Sequence, residues 1–390
     1  MKIQVGVFFG GKSVEHEVSV ITGLQAFAAL DREKYDPVPI YITKQGLLYT
    51  GPRFADIEAY KDIPLLLSSG TQLVLAPADG RTAMVRHPAR RVGNNVIGYL
   101  DVALPAVHGT NVEDGVFQGY LDTLGLPYAG PDVPGAALCM DKAASKTLLQ
   151  NANIPVLPAL AISAADWAER PEEETRQIEA EFVYPVMVKP VNLGSSIGIS
   201  RAPTREALHR ALDLSFKFSA RALVEPAIVN LREINCSVLG DARAARPSVC
   251  EEPVSGDEIL SYRDKYLSSG KQGGMGGARR RIPAELTDEE SQIITTLAVK
   301  TFQLLGCRGV ARVDFLLDDD TGNIYVNEIN AIPGSLAYYL WEPTGLNFSA
   351  LLDELLSLAF QRKREQEALS FTYESNLLSG VGFGGKKTGR

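Results

Sequence analysis

GVARVDFLLDDDTGNIYVNEINAIPG, residues 309–334, decides the fold class. Two alternating apolar runs flank a DDDTGN turn, which predicts a β-hairpin with strands over 309–317 and 323–329. Side chains alternate with a period of two along a strand. Arg312 and Asp314 therefore share one face of the first strand, and Glu328 and Asn330 share one face of the second. The interleaved Val, Phe, Leu and Ile form the opposite, core-facing side. Two carboxylates, an amide oxygen and a guanidinium can thus converge, and such hard oxygen donors suit Mg²⁺ shared between protein and phosphates. A solvated outer face with an ion pair fits the same alternation.

Working outward, YPVMVKPVNLGSSIGIS (184–200) predicts strands at 183–189 and 197–201 around a Gly/Ser loop, with a helix at 204–216. Lys189 closes the first strand, and Gly194, Ser195, Ser196 and Gly198 form a loop whose backbone N–H groups can approach phosphate oxygens closely. An ordinary hairpin loop has the same composition. ALVEPAIV (222–229) reads as a strand leading into a connection, followed by a strand at 233–239 and a long helix at 287–305. A helix starting near Asp141 carries Lys142 and Lys146 one turn apart, a pair that is usually solvated.

At the N-terminus, IQVGVFF (3–9) is a buried-strand pattern that ends at Gly10-Gly11 and leads into a helix. A second such run, DVALPAV (101–107), ends in HGTNVEDG. An open α/β sheet begins this way, and its ligands gather where strands end. Glu15 sits at the start of the first helix, where favourable contact with the helix dipole is its simplest role. His108, Glu113 and Asp114 crowd the second junction, where they also serve as turn formers. Residues 45–100 carry no legible chemistry. GVFFGGKS (6–13) satisfies GxxxxGK[ST] letter for letter, but Gly6 falls inside a strand and too few loop amides remain to wrap a triphosphate.

The 390-residue chain has 39 Lys+Arg against 47 Asp+Glu, a net charge of −8, and 45% apolar residues, which predicts two or three globular domains. The charge balance argues against a general nucleic-acid binder or a polybasic membrane-surface protein. Arg279-Arg280-Arg281, the one basic cluster, reads as part of a mobile Gly-rich loop. No run approaches a membrane helix, and MKIQVGVFFGGKS is no signal peptide, so the expected location is the cytoplasm. Cysteines 139, 236, 250 and 307 are too far apart for a zinc ribbon and read as core thiols.

Taken together and in order, GGKSVEHEVS, HGTNVEDGVFQGYLDTLGLPYAG, MDKAASK, VKPVNLGSSIG, YRDKY and RVDF…NEIN…PG resemble D-alanine–D-alanine ligases of the ATP-grasp superfamily. The resemblance implies an α/β (α+β) ATP-grasp fold in three domains. These are a Rossmann-like substrate domain (1–135), a central subdomain (136–228) and a C-terminal subdomain (229–365), before a tail (366–390) expected to be partly unstructured. It also implies a cytoplasmic homodimer that uses ATP and two Mg²⁺, with Mn²⁺ as a substitute, to join two D-alanines through an acyl phosphate for peptidoglycan precursors.

By motif, Lys142, Lys189 and Ser196 would contact ATP phosphates, Glu225 would hold adenine and Glu233 the ribose. Asp314, Glu328 and Asn330 would be the metal ligands. Arg312 and the Gly334 N–H would face the oxyanion, and Glu15 would orient the first D-alanine's amino group. His108 would lie near that substrate, Ser195 with Tyr266 would link Glu15 to a lid, and Lys265 would reach the transferred phosphate or the second carboxylate.

The acceptor segment departs from the family text. Where Phe-Thr and then a serine are usual after PG, this chain reads PGSLAYYLWEPTG, with Ser335 directly after Gly334 and Tyr339 near the expected serine. This leaves two further expectations open: a ligase joining D-alanine to another amino acid or a hydroxy acid such as D-serine or D-lactate, and a silent nucleotide-binding protein on the same fold.

Overall fold

A computed structural model describes residues 2–254, 279–372 and 375–376. The first unit is a seven-stranded sheet of order β6-β5-β4-β3-β2-β1-β7. Its strands are β1 (Ile3–Gly10), β2 (Tyr35–Ile42), β3 (Leu48–Thr50), β4 (Thr71–Ala78), β5 (Arg81–Arg86), β6 (Val96–Leu100) and β7 (Val102–Pro105). β1 lies between parallel neighbours β2 and β7, and Val5, Val7, Phe8 and Phe9 are all fully buried, as a strand covered on both faces requires. Gly6 sits within this strand, where a Cβ would meet Leu100 and Phe8 at 2.9 Å, so the GxxxxGK[ST] match is a strand and not a phosphate loop.

The chain leaves β1 through Gly10 and Gly11, both at positive φ, into the helix His16–Ala29. A Cβ at Gly23 would fall 2.3 Å from Cβ of Phe9, so glycine there lets the helix lie directly on the strand. The connections after β1 and β7 meet at the C-terminal edge of the sheet, the crevice in which open α/β folds bind ligands. Residues 45–100, unreadable in the sequence, extend the sheet with the antiparallel β3–β6.

The second unit is a four-stranded antiparallel sheet of order β10-β9-β11-β8, built from β8 (Leu160–Ser163), β9 (Val186–Pro190), β10 (Ser200–Ala202) and β11 (Arg221–Pro226). Ile178 and Leu208, from two covering helices, pack on Val186, Val188 and Val224. The third unit is a five-stranded sheet of order β14-β13-β12-β15-β16, formed by β12 (Leu231–Gly240), β13 (Ala245–Val254), β14 (Arg279–Arg281), β15 (Gly309–Asp318) and β16 (Ile324–Asn330). The helix Asp288–Leu304, started by a Thr287/Glu290 capping box, buries Ile294, Ala298 and Phe302 against it.

Cys139, Leu149, Ile154 and Val156, all beyond the boundary expected at 136, pack in the third unit's core, and the second core starts with Ile162. The helix Phe348–Glu367 sends Leu351, Leu352, Leu355 and Leu356 into the first unit's core, so the chain returns to close on its own beginning. Arg279–Arg281 form an edge strand paired with β13 rather than a loop, and Arg281 meets Glu252 at 3.4 Å. The four cysteines are buried free thiols, as expected. No helix among the described residues is long and apolar enough to cross a membrane.

Candidate active site

The hairpin β15–β16 forms as its alternation predicts, and its register brings both polar faces together. Arg312 lies opposite Asn330, and Asp314 lies opposite Glu328. Facing carboxylates repel unless cations separate them. Here Arg312 donates to both oxygens of Asp314, at 2.6 and 2.7 Å, and Asn330 adds an amide donor at 2.9 Å. Lys142 takes the other carboxylate, with Nζ 2.9 Å from Glu328. A register shift between Asp314 and Phe315 leaves Asn327 as the extra residue of a β-bulge. Its Oδ1 thereby accepts from Lys189 Nζ at 2.9 Å.

Lys142 and Lys146 come from the helix Lys142–Asn151, whose first amides are capped by Asp141. The pair is not solvated: both lysines are buried, Lys142 against Glu328 of the third sheet and Lys146 against Glu225 of the second. Glu225, fully buried on β11, pairs with Lys189 on the adjacent β9 and with Lys146 at 3.0 Å. Burial alone would raise the Glu225 pKa, but the charges of Lys189 and Lys146 outweigh it and hold the carboxyl below its ordinary value. The Lys146 pKa is lowered as well, because burial, with the charges of Lys189 and Lys142, outweighs the attraction of the carboxylate that it shares. One anion serving two ammonium groups leaves excess positive charge, which suits a polyanionic ligand. Glu225 is therefore the counter-ion of this pair, so its carboxylate is already engaged where the motif comparison placed it on adenine.

A cavity of about 230 Å³ opens between the second and third sheets. Its walls include Lys189, Ser196, Glu225, Glu233, Asp314 and Glu328, with the backbone of Pro226–Val229 along one side. Six expected ligands of one nucleotide and its metals thus surround a single space.

The first unit meets the loop beside this cavity. Ser195 and Ser196 both adopt left-handed backbone angles, with φ 57° and 58°, which carries their loop toward the junction after β1. There the Ser195 hydroxyl donates to the Glu15 carboxylate. A Cβ at Gly109, which has φ +80°, would sit 2.9 Å from Glu15 Oε2, so only glycine lets this chain pass so close. Glu113 accepts from the N–H groups of Gly109, at 2.6 Å, and Ile332, at 3.3 Å. Burial and the nearby Glu15 nevertheless push its carboxyl up to about 8.

His108 is placed beside the site, but its two ring nitrogens face protein groups: Nδ1 is 2.8 Å from the Ile332 carbonyl and Nε2 is 2.8 Å from Thr22 Oγ1. It supports the site from behind and is not positioned as a substrate ligand. Gly334 opens a short turn in which Ser335 is buried and its N–H donates to Thr22 at 3.0 Å. Tyr339 turns its hydroxyl away onto Glu251, at 3.0 Å, and Arg280 stacks over its ring at 4.7 Å. Lys265 and Tyr266 lie outside the described residues. Sequence reasoning missed Thr22, Asn327 and Glu251. Only Asn327 had a signal, its place beside Glu328 in NEIN.

Two family models cover nearly the whole chain. One described as D-ala D-ala ligase N-terminus matches residues 4–131, and one described as D-ala D-ala ligase C-terminus matches residues 148–357. A D-alanine–D-alanine ligase from Caldicellulosiruptor bescii is 37% identical over 383 residues, covering 96% of this chain and 99% of the relative. One from Thermoanaerobacter sp. is 38% identical over 376 residues, covering 94% and 98%. Among solved structures, the D-alanine–D-alanine ligase from Coxiella burnetii superposes with a TM-score of 0.76 at 30% identity, covering 94% of this chain and 96% of that one. A D-Ala:D-Ser ligase from Enterococcus faecalis also reaches 0.76, at 28% identity over 92% of this chain and all of its own. With the six motifs, three sheets and shared cavity already in place, these matches show that the chain belongs to the D-alanine–D-alanine ligase family.

Proposed function

We propose that the protein joins two D-alanines into D-alanyl-D-alanine at the expense of ATP, releasing ADP and phosphate. The observation that carries this is the contact of Ser195 with Glu15, which sets an amine-recognising carboxylate against a phosphate-binding loop. An amino acid held by Glu15 through its ammonium group then presents its carboxylate toward the nucleotide cavity. The family relatives named above supply the substrate class.

Lys189 and, from its pairing with Glu328, Lys142 bind the phosphates, Glu233 receives the ribose, and the segment after Glu225 receives the base. The donor carboxylate attacks the γ-phosphorus, the bond to the ADP oxygen breaks, and an acyl phosphate forms. The second amine, having lost a proton, attacks the acyl carbon; the C–O bond to phosphate then breaks. Arg312 and the Gly334 N–H stabilise the tetrahedral oxyanion. Water must be excluded, because it would hydrolyse the acyl phosphate.

Asp314, Glu328 and Asn330 fit a Mg²⁺ site, since Arg312 and Lys142 occupy their carboxylates as cations would. Among the described residues no group of three His, Cys, Asp or Glu could hold a metal, so an ion here would also need oxygens of the bound nucleotide. When bound, the two Mg²⁺ offset charge on the transferring phosphoryl group. A cytoplasmic location, a homodimer and a role in peptidoglycan precursor synthesis belong to the same proposal.

Incubation with ATP, Mg²⁺ and D-alanine as the only amino acid should yield the dipeptide, with one phosphate released per peptide bond. Phosphate release without dipeptide, together with turnover of D-serine or D-lactate in an acceptor panel, would show that the segment around Ser335 and Tyr339 takes a different acceptor.

A further inference from the structure

Three successive residues with side chains, Ser335, Leu336 and Ala337, have φ of 53°, 50° and 50°. A left-handed residue with a side chain is strained and persists only where its surroundings hold it. Part of that hold comes from the first unit, more than 300 residues earlier in the chain. Thr22, on the helix His16–Ala29, has its Oγ1 3.0 Å from the Ser335 nitrogen and 2.8 Å from His108 Nε2. Thr22, His108 and Ser335 are only 1%, 3% and 2% exposed, so water does not substitute for any of these partners.

The direction of every bond in this chain is determined. The Ile332 carbonyl, 2.8 Å from His108 Nδ1, can only accept, so Nδ1 carries the ring proton. In the neutral ring Nε2 is then an acceptor, and Thr22 must donate its single hydroxyl proton to it. The Thr22 oxygen is left to accept the Ser335 N–H. Burial lowers the His108 pKa to about 4, which keeps the ring neutral as this arrangement requires. The histidine fixes the direction of the hydroxyl, and the hydroxyl fixes the turn.

We propose that Thr22 is a positioning residue for the ligation step: its hydroxyl, directed by neutral His108, holds the left-handed turn after Gly334 in the geometry that presents the turn to the reacting acyl group. The proposal rests on the ligase reading above. It assigns His108 no proton transfer, because both ring nitrogens are committed within the protein. It also makes the first unit part of the acceptor half of the site.

The test uses the full chain with ATP, Mg²⁺ and D-alanine, comparing wild type with Thr22→Val and Thr22→Ser. Valine keeps the volume but leaves the Ser335 N–H and His108 Nε2 unpaired in a dry space. Displacing a reacting group by about 1 Å can cost roughly 10² in rate. Thr22→Val should therefore lower kcat by about that factor with the KM for ATP within about twofold, and Thr22→Ser should restore most of the lost turnover. Thr22→Val turnover within about twofold of wild type would overturn the proposal while leaving the ligase reading intact. Equal loss in both variants, with ATP affinity lost in parallel, would also overturn it, because that pattern marks a general structural role. If wild type makes no dipeptide the ligase reading itself fails. Nitrogen-15 NMR of labelled histidine then decides the relay separately: a neutral Nδ1–H ring at His108 supports it, and an Nε2–H ring or an imidazolium at pH 7 refutes it.

Discussion

Ser195 donates a hydrogen bond to Glu15 across 180 residues and two structural units. This contact ties the Ser195 loop to the edge of the first sheet, so the proposed nucleotide and amino-acid sites adjoin. Glu15→Gln keeps the shape and removes the charge. A hydrogen bond to a charged group is worth about 1.5–3 kcal/mol, so kcat/KM for the donor D-alanine should fall roughly 10- to 100-fold. ATP affinity should stay within about twofold. Steady-state kinetics with ATP and D-alanine varied independently checks this, and a variant impaired for ATP alone would contradict it.

Arg312 neutralises Asp314 in the structure and is assigned the oxyanion in the proposed chemistry. Arg312→Ala should lower turnover by roughly 10²–10³, as loss of one oxyanion partner does. Nucleotide affinity should change little, since the proposal assigns the phosphates to Lys142 and Lys189. Isothermal titration with a non-hydrolysable ATP analogue separates the two effects. Near-normal turnover would remove Arg312 from the mechanism.

Glu225 pairs with both Lys146 and Lys189 in this buried cluster. Glu225→Gln strands two ammonium groups, and leaving a buried charge without its partner costs about 3–5 kcal/mol. The urea midpoint should fall accordingly. Saturating ATP should restore part of the loss, because phosphates supply the missing negative charge. A variant of wild-type stability would show that these lysines reach solvent.

The His108 arrangement also sets a pH dependence. Unfolded histidine takes up a proton as pH falls through about 6.5, whereas the folded ring, depressed to about 4 by burial with help from Arg312, does not. Its contribution to stability is thus complete above about pH 6.5 and is lost as pH falls toward 4, by about 3 kcal/mol in all. Comparing urea midpoints of wild type and His108→Asn between pH 7 and pH 4.5 isolates this contribution. The wild-type curve should fall more steeply, and parallel curves would contradict the assignment.

The convergence of the polar hairpin residues was legible in the sequence because strands impose a strict two-residue period. Arg312, Asp314, Glu328 and Asn330 had to share faces once 309–330 was read as a hairpin, and the register then placed them together. The glycines around Ser195 and Lys189 were legible for the same local reason. What escaped depends on contacts distant in sequence. A lysine pair on a helix gives no local sign that Glu225 will bury it, and Thr22 has nothing to connect it with Ser335 until the first helix packs against the turn. The core boundaries were hidden likewise: Leu149 and Leu355 are ordinary helical leucines whose partners lie in another unit. In residues 45–100, antiparallel strands of mixed polarity lack the continuous apolar runs that reveal β1 and β7.

The central claim is that a D-alanine carboxylate becomes an acyl phosphate before the peptide bond forms. The most direct test is to supply D-alanine labelled with ¹⁸O in its carboxylate and to weigh the phosphate released with the dipeptide. The account predicts one ¹⁸O in each phosphate, because the oxygen that attacked the γ-phosphorus leaves with it. Phosphate free of ¹⁸O, released alongside dipeptide, would contradict it.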